Sequence, residues 1–169
     1  MLRGTYPVAD GEWRAWAGRP GAVGLQPIDP ELSTAWTIRT DQVATWWATE
    51  PYSVLIATGY NVDCVELPSP LGHRIFDPLS AAAVYAPAML TPLSTVVLFV
   101  RASRGPRPAL TALSLRSTDS WVAVPPTEQG NGTTASSPGY RWLIPPESLD
   151  WKLPELADVN AVIERTILG

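Results

Sequence analysis

Hydrophobic and polar positions in this chain fall into short blocks, and the period changes from block to block. Over "TDQVATWWATEP", Val43, Trp46 and Trp47 keep the i, i+3, i+4 spacing of one helix face. Thr40 is placed to cap that helix, Asp41 and Gln42 fill its first turn, and Pro51 stops it. "YSVLIATG" is an unbroken apolar run closed by Gly59, which predicts a buried strand. "NVDCVEL" predicts a second strand: Val62, Cys64 and Glu66 share one face, and Asp63, Val65 and Leu67 the other. Residues 71–90, "LGHRIFDPLSAAAVYAPAML", predict a helix with Ile75, Leu79, Ala82 and Ala83 inward and Pro78 in its first turns. "STVVLFVRAS" is the most strand-like segment, and "LTALSLRS", "SWVAVPP" and "YRWLIPP" predict further strands. "LPELADVNAVIERTILG" is an amphipathic helix with Leu156, Val159, Val162, Ile163 and Ile167 on one side.

Two stretches carry no period. Residues 1–35 meet Pro or Gly every few positions and read as an irregular segment with at most a short helix. Trp13, Trp16 and Trp36 are placed to hold that segment over the body. Residues 128–139 offer Gly, Ser, Thr and Asn and nothing to bury, so a flexible loop is expected. The order of elements predicts an α+β fold, with a mixed, largely antiparallel sheet and flanking helices. The 169 residues fit one domain, residues 1–169.

Composition narrows the functional classes. Hydrophobic residues make up 46% and charged residues 17%, which favours a packed core over disorder. A net charge of −4 argues against a protein that mainly coats a phosphate backbone, since such binding runs on counterion release by Lys and Arg. A local basic surface stays open, because Arg101, Arg104 and Arg107 lie close together. The single cysteine, Cys64, excludes an internal disulfide and a cysteine-rich zinc site. No charged-then-apolar leader is seen, and the apolar run at Val96 to Val100 is too short to span a bilayer. The expectation is a soluble, cytoplasmic protein with no membrane and no disulfide partner.

Few side chains point to chemistry. Asp63 and Glu66 are a possible metal pair, yet neighbours three apart on a strand face opposite ways and need a bulge to meet. A hard divalent ion also wants more oxygen donors than two carboxylates supply. His73 is the only histidine, which excludes multi-histidine zinc sites and reads as a surface or capping residue. Cys64 lies inside an apolar strand and reads as inert. Arg101, Arg104, Arg107, Arg116 and Arg141 make a candidate nucleic-acid or partner surface, with Trp121 and Trp142 for stacking and Trp47 as a partner-facing aromatic.

The arrangement of these pieces resembles a known family. "VATWWATEPYSVLIATGYNVDCVELPSPLG" is similar to the stretch in bifunctional DNA primase/polymerase N-terminal (prim-pol) domains, of the archaeo-eukaryotic primase superfamily, where a Trp-Trp helix leads through a Thr-Gly turn to the first metal-binding strand. "SWVAVPPTEQGNGTTASSPGYRWLIPP" resembles the closing segment, Pro-Pro-Ser/Thr, a loop, then Gly-Tyr-Arg-Trp. The resemblance spans roughly residues 36 to 157. It implies a primase/polymerase-like fold and, in active members, nucleotidyl transfer in DNA replication on divalent metals held by an Asp-x-Asp pair and a third Asp, with a His on the nucleotide.

Position by position, the resemblance puts Glu66 and Pro68 at the Asp-x-Asp pair, Val97 at the His and Ser114 at the third Asp, while Arg116 keeps an Arg that often follows it. The scaffold is kept and the catalytic positions are replaced. The expected function is therefore a catalytically degenerate domain that binds nucleic acid, a nucleotide or a protein partner and needs no cofactor. The alternatives are an active primase/polymerase using Mg or Mn at Asp63 and Glu66, or a purely structural subunit.

Overall fold

The computed structural model describes residues 1–10, 13–103, 114–127 and 139–168. The chain divides into two compact units, residues 1–57 with 121–140, and residues 58–120 with 141–169. The architecture is α+β, built on antiparallel pairing.

In the first unit, β1 (Leu2–Gly4), β4 (Ser53–Thr58) and β9 (Ser120–Ala123) form a three-stranded sheet in the order β1-β4-β9. Beside them stand the hairpin of β2 (Tyr6–Asp10) and β3 (Trp13–Ala17), and the helices α1 (Leu32–Ala35) and α2 (Thr40–Thr49). β1 runs antiparallel to β4, with Leu2 opposite Leu55 and Gly4 opposite Ser53. Thr5 is fully buried and ties in the following loop: its hydroxyl donates to the Gly24 carbonyl at 2.8 Å and accepts from the Gln26 N–H at 3.0 Å. The edge of β4 beyond Ala123 has a special solution. Pro125 and Pro126 have no N–H to offer a strand, and the Thr127 hydroxyl takes over. It accepts from the Val54 N–H at 2.8 Å and donates to the Val54 carbonyl at 3.1 Å.

The second unit is a five-stranded sheet in the order β10-β6-β7-β5-β8. Its strands are β5 (Val62–Pro68), β6 (Ala88–Leu90), β7 (Thr95–Arg101), β8 (Ser114–Arg116) and β10 (Arg141–Ile144). The helices are α3 (Ser69–Arg74), α4 (Phe76–Ala81) and α5 (Leu156–Leu168), with a short 3-10 turn at Pro146–Leu149. Val65, Leu67, Val96, Leu98 and Val100 come from one sheet face. They share a core with Ile75 and Leu79 and with Leu156, Val159, Val162 and Ile163 of α5. Gly72 lets α3 approach β7 closely: a Cβ there would stand 2.4 Å from Val96 Cβ. Among the described residues, no helix is long and apolar enough to cross a membrane.

Several expectations change. Residues 1–35 are not irregular: they hold β1, β2, β3 and α1. These elements are three to five residues long. β1 pairs with distant residues such as Leu55, which no local period reports, while β2 and β3 pair with each other. The helix expected within 71–90 is two short helices broken at Ile75, with β6 after them. Ile75 and Leu79 are inward as expected, but Ala82 and Ala83 are exposed, because α4 ends before them and Ala83 turns left-handed at φ 54°. Thr40 is the first residue of α2 rather than its cap, and the Thr37 hydroxyl accepts the Arg39 N–H ahead of it at 3.1 Å. No residue of α2 is buried, and Trp46 and Trp47 are both half-exposed. The loop expected at 128–139 lies outside the described residues except for Gly139, as do residues 110–113 of the "LTALSLRS" strand.

Two tests follow from this packing. Thr127→Val keeps the shape but leaves the buried Val54 N–H and carbonyl without that partner. It should destabilise the fold by about 1–3 kcal/mol in denaturant unfolding, and Thr127→Ser should lose much less. Cys64 is wholly buried on β5, and that burial, with Asp63 beside it, pushes its thiol far above the ordinary value. A thiol reagent at pH 8 should leave the native chain unlabelled and modify Cys64 only after denaturation; rapid native labelling would contradict this packing.

Candidate functional site

The site is set by the register of β5. Seven consecutive pairs hold it against β7 without a bulge, from Val62 opposite Arg101 to Pro68 opposite Thr95. Directly opposed residues point to the same face of a sheet. Glu66 lies opposite Val97 on β7 and opposite Ser114 on β8. Met89 on β6 lies opposite Val97, and Trp142 on β10 opposite Met89. One row thus reads Trp142, Met89, Val97, Glu66, Ser114. The next reads Phe99, Cys64, Arg116. The Trp142 ring centroid is 5.3 Å from that of Phe99. Glu66, Val97 and Ser114, placed by family resemblance at the first Asp, the His and the third Asp, are cross-strand neighbours. Pro68 follows on the same face opposite Thr95 and has no atom that ligates a metal.

The Glu66 carboxylate is already engaged. Arg116 Nε donates to its Oε2 at 3.1 Å, and the Thr95 hydroxyl donates to its Oε1 at 2.9 Å. Since Thr95 gives its proton to Glu66, the 2.7 Å contact between the Thr91 and Thr95 hydroxyls has Thr91 as donor. The Glu66 side chain is 18% exposed and the Arg116 side chain 45%, so the pair sits at the sheet surface with its acid end sheltered.

Asp63 faces the other way, in the row of Val65 and Leu67. It is fully buried. Its Oδ1 accepts the Gly59 N–H at 3.0 Å and its Oδ2 the Ser103 N–H at 3.2 Å. Gly59 reaches that position at φ +90°, with Thr118 backbone atoms 2.3 Å from where a Cβ would stand. Asp63 therefore clasps the turn before β5 to the end of β7. The two carboxylates do not meet.

The family resemblance implies divalent metals at this row, and the donor set does not supply what they need. Glu66 is the sole carboxylate in its row, its neighbours are an alkyl group and a hydroxyl, and a guanidinium already compensates its charge. A hard cation needs several converging oxygens. Among the described residues no three His, Cys, Asp or Glu side chains come together. These residues do not fit the metal pair.

The arginines read from the sequence as one surface go to different places. Arg101 pairs with Glu155 at 2.8 Å, and Arg116 with Glu66. Arg141 is exposed opposite Leu90, on the face away from Glu66. Arg104 and Arg107 lie outside the described residues. Trp121 is half-buried on β9, and Trp142 packs on Phe99. His73 is exposed in the last turn of α3, its ring edge-on to Phe76 at 6.0 Å.

A second feature was not read from the sequence. Trp47 donates its Nε1–H to the Tyr52 carbonyl at 2.7 Å, and its ring meets Tyr52 edge-on at 6.2 Å. Tyr6 meets the same ring at 5.7 Å and donates its hydroxyl to Glu50 at 2.7 Å. A cavity of about 590 Å³ opens beside these rings, bordered also by Val43, Pro7 and Pro51. Arg3 lies over Trp46 at 4.7 Å and over Tyr52 at 5.5 Å. The signal available in the sequence was an Arg and a Tyr in separate short strands, which no local pattern joins to the Trp-Trp pair.

The family model for "Bifunctional DNA primase/polymerase, N-terminal" matches residues 7–156. Comparison with curated proteins and with solved structures gave no match. The matched span runs from β2 through α2, β5, β7 and β8 to the start of α5 and so includes the row built on Glu66, and by that match the chain belongs to the bifunctional DNA primase/polymerase N-terminal, or prim-pol, family.

Proposed function

We propose that this chain is a catalytically degenerate prim-pol domain retained as a binding or interaction module. The observation that carries the reading is the state of Glu66. In an active member the corresponding carboxylate has to be an open ligand beside other acids. Here it stands between Val97 and Ser114, with Arg116 and Thr95 on its two oxygens. A cation bound there would face the guanidinium at short range, and displacing Arg116 would strand a positive charge. What Arg116 does for Glu66 is what a metal does elsewhere: it compensates the charge while leaving no open coordination position for a triphosphate.

The scaffold around this row is fully packed, which supports a retained use for the domain. Cys64, Met89, Val97 and Phe99 on the same face are buried, and the opposite face carries the core shared with α5. The use we favour is recognition of nucleic acid, a nucleotide or a protein partner in a DNA-replication setting.

Two measurements test the reading. With a primed template, dNTPs and either Mg²⁺ or Mn²⁺, the purified chain should give no extension. Extension that disappears in Glu66→Gln would establish the active alternative instead. In thermal unfolding, Mg²⁺ and Mn²⁺ at millimolar levels should leave the midpoint unchanged. Arg116→Ala should lower stability only slightly, by less than about 1 kcal/mol, since the ion pair it removes is partly exposed. A metal-dependent rise in the wild-type midpoint that vanishes in Glu66→Gln would show that Glu66 still takes a cation.

A further inference from the structure

The first unit holds a site that the Glu66 row does not use. Arg3 is stacked on Trp46 and Tyr52, and among the described residues no carboxylate lies within ion-pairing distance of its guanidinium. A cation over aromatic rings is held by their electron-rich faces, and a guanidinium carries five N–H donors that this contact does not consume. Tyr52, one of the two rings under Arg3, also borders the cavity of about 590 Å³. That volume falls inside the range of roughly 300–1,000 Å³ typical of small-ligand sites. Its walls are largely apolar and aromatic, from Tyr6, Val43, Trp47 and Tyr52.

We propose that this cluster is a binding site for a nucleoside phosphate unit, with the base ring in the aromatic cavity and the phosphate on Arg3. A flat apolar ring fits walls of Trp and Tyr, where stacking is tolerant of base identity. An anion fits a guanidinium that lies over aromatic rings and has no ion-pair partner among the described residues, and phosphate oxygens match its fork of donors. The walls are rigid before binding: Trp47 is locked by its bond to the Tyr52 carbonyl, and Tyr52 is wedged edge-on between Tyr6 and Trp47. Little side-chain entropy is left to lose. Glu50 is the carboxylate that these contacts bring to the cluster, and the Tyr6 hydroxyl holds it, so the cation offered to an incoming anion is Arg3. The protein's net charge of −4 makes this recognition local rather than long-range steering.

The inference names the ligand class of the module proposed above and rests on that reading for its use. Its test measures binding, whereas the earlier one measures synthesis, so either can fail alone. The full chain is titrated with dAMP by calorimetry and with a short labelled oligo-dA strand by fluorescence anisotropy. Saturable binding is expected, weakened about tenfold or more by Arg3→Gln through loss of charge-assisted hydrogen bonds. Val43→Trp, which fills the cavity from α2 and leaves Arg3 in place, should weaken it as well. Circular dichroism and melting check that both variants fold, and Arg3→Lys should fall between wild type and Arg3→Gln. Binding of dAMP identifies a free nucleotide as ligand; binding of the strand alone identifies single-stranded nucleic acid. Absence of saturable binding by either probe overturns the proposal. So does binding that both folded variants leave untouched, or binding lost only in Arg116→Ala.

Discussion

The unbroken pairing of β5 with β7 is the constraint on which the candidate site depends. A strand paired one-to-one must send alternate side chains to opposite faces. That sends Asp63 to the margin of the core and Glu66 to the opposite face, and one extra residue would have reversed either assignment. With no bulge between them, the described residues place one carboxylate in this row, where metal-dependent nucleotidyl transfer would need several. The same pairing carries Val97 and Ser114 to the two sides of Glu66. The three positions that the family resemblance assigns to the first Asp, the His and the third Asp are therefore neighbours in one row and not scattered residues.

The two carboxylates also show how environment sets a role. Asp63 is buried, where an unsatisfied charge is costly, and two backbone N–H groups meet it. It closes the fold by clasping two chain segments. Glu66 remains near solvent, where Arg116 and a threonine hydroxyl chain hold it. An ion pair at that exposure contributes little to stability. Its consequence is for chemistry: the carboxylate is committed to an internal cation. This links a local hydrogen-bond arrangement to a functional reading in which the domain binds without polymerising.

The first unit gives that reading a place to act. Tyr6 is buried, but α2 contributes no buried residue, and its tryptophans meet Arg3 and Tyr52 instead. An Arg over aromatic rings, with no carboxylate partner among the described residues and next to an apolar cavity, matches the two chemistries that a nucleotide presents. The acidic net charge of the chain is compatible with this, because recognition through one guanidinium and a few rings needs no basic field.

Much of this was legible in the sequence. The strong periods did their work: α2, β4, β5, β7 and α5 fall where Trp46 and Trp47, the "SVLIAT" run, the Val62–Leu67 alternation, "TVVLFVR" and the Val159–Ile163 face place them. The α+β class and family followed from that order, and the opposite facing of Asp63 and Glu66 followed from the period of a strand. Other features belonged to tertiary structure alone. The three-residue strand β1 exists because Leu55 and its neighbours pair with it, and so distant in sequence a partner leaves no local trace. Likewise, Thr95 on Glu66, Thr127 on Val54 and Arg3 on Trp46 join residues 29, 73 and 43 positions apart, which only the folded chain brings within bonding distance.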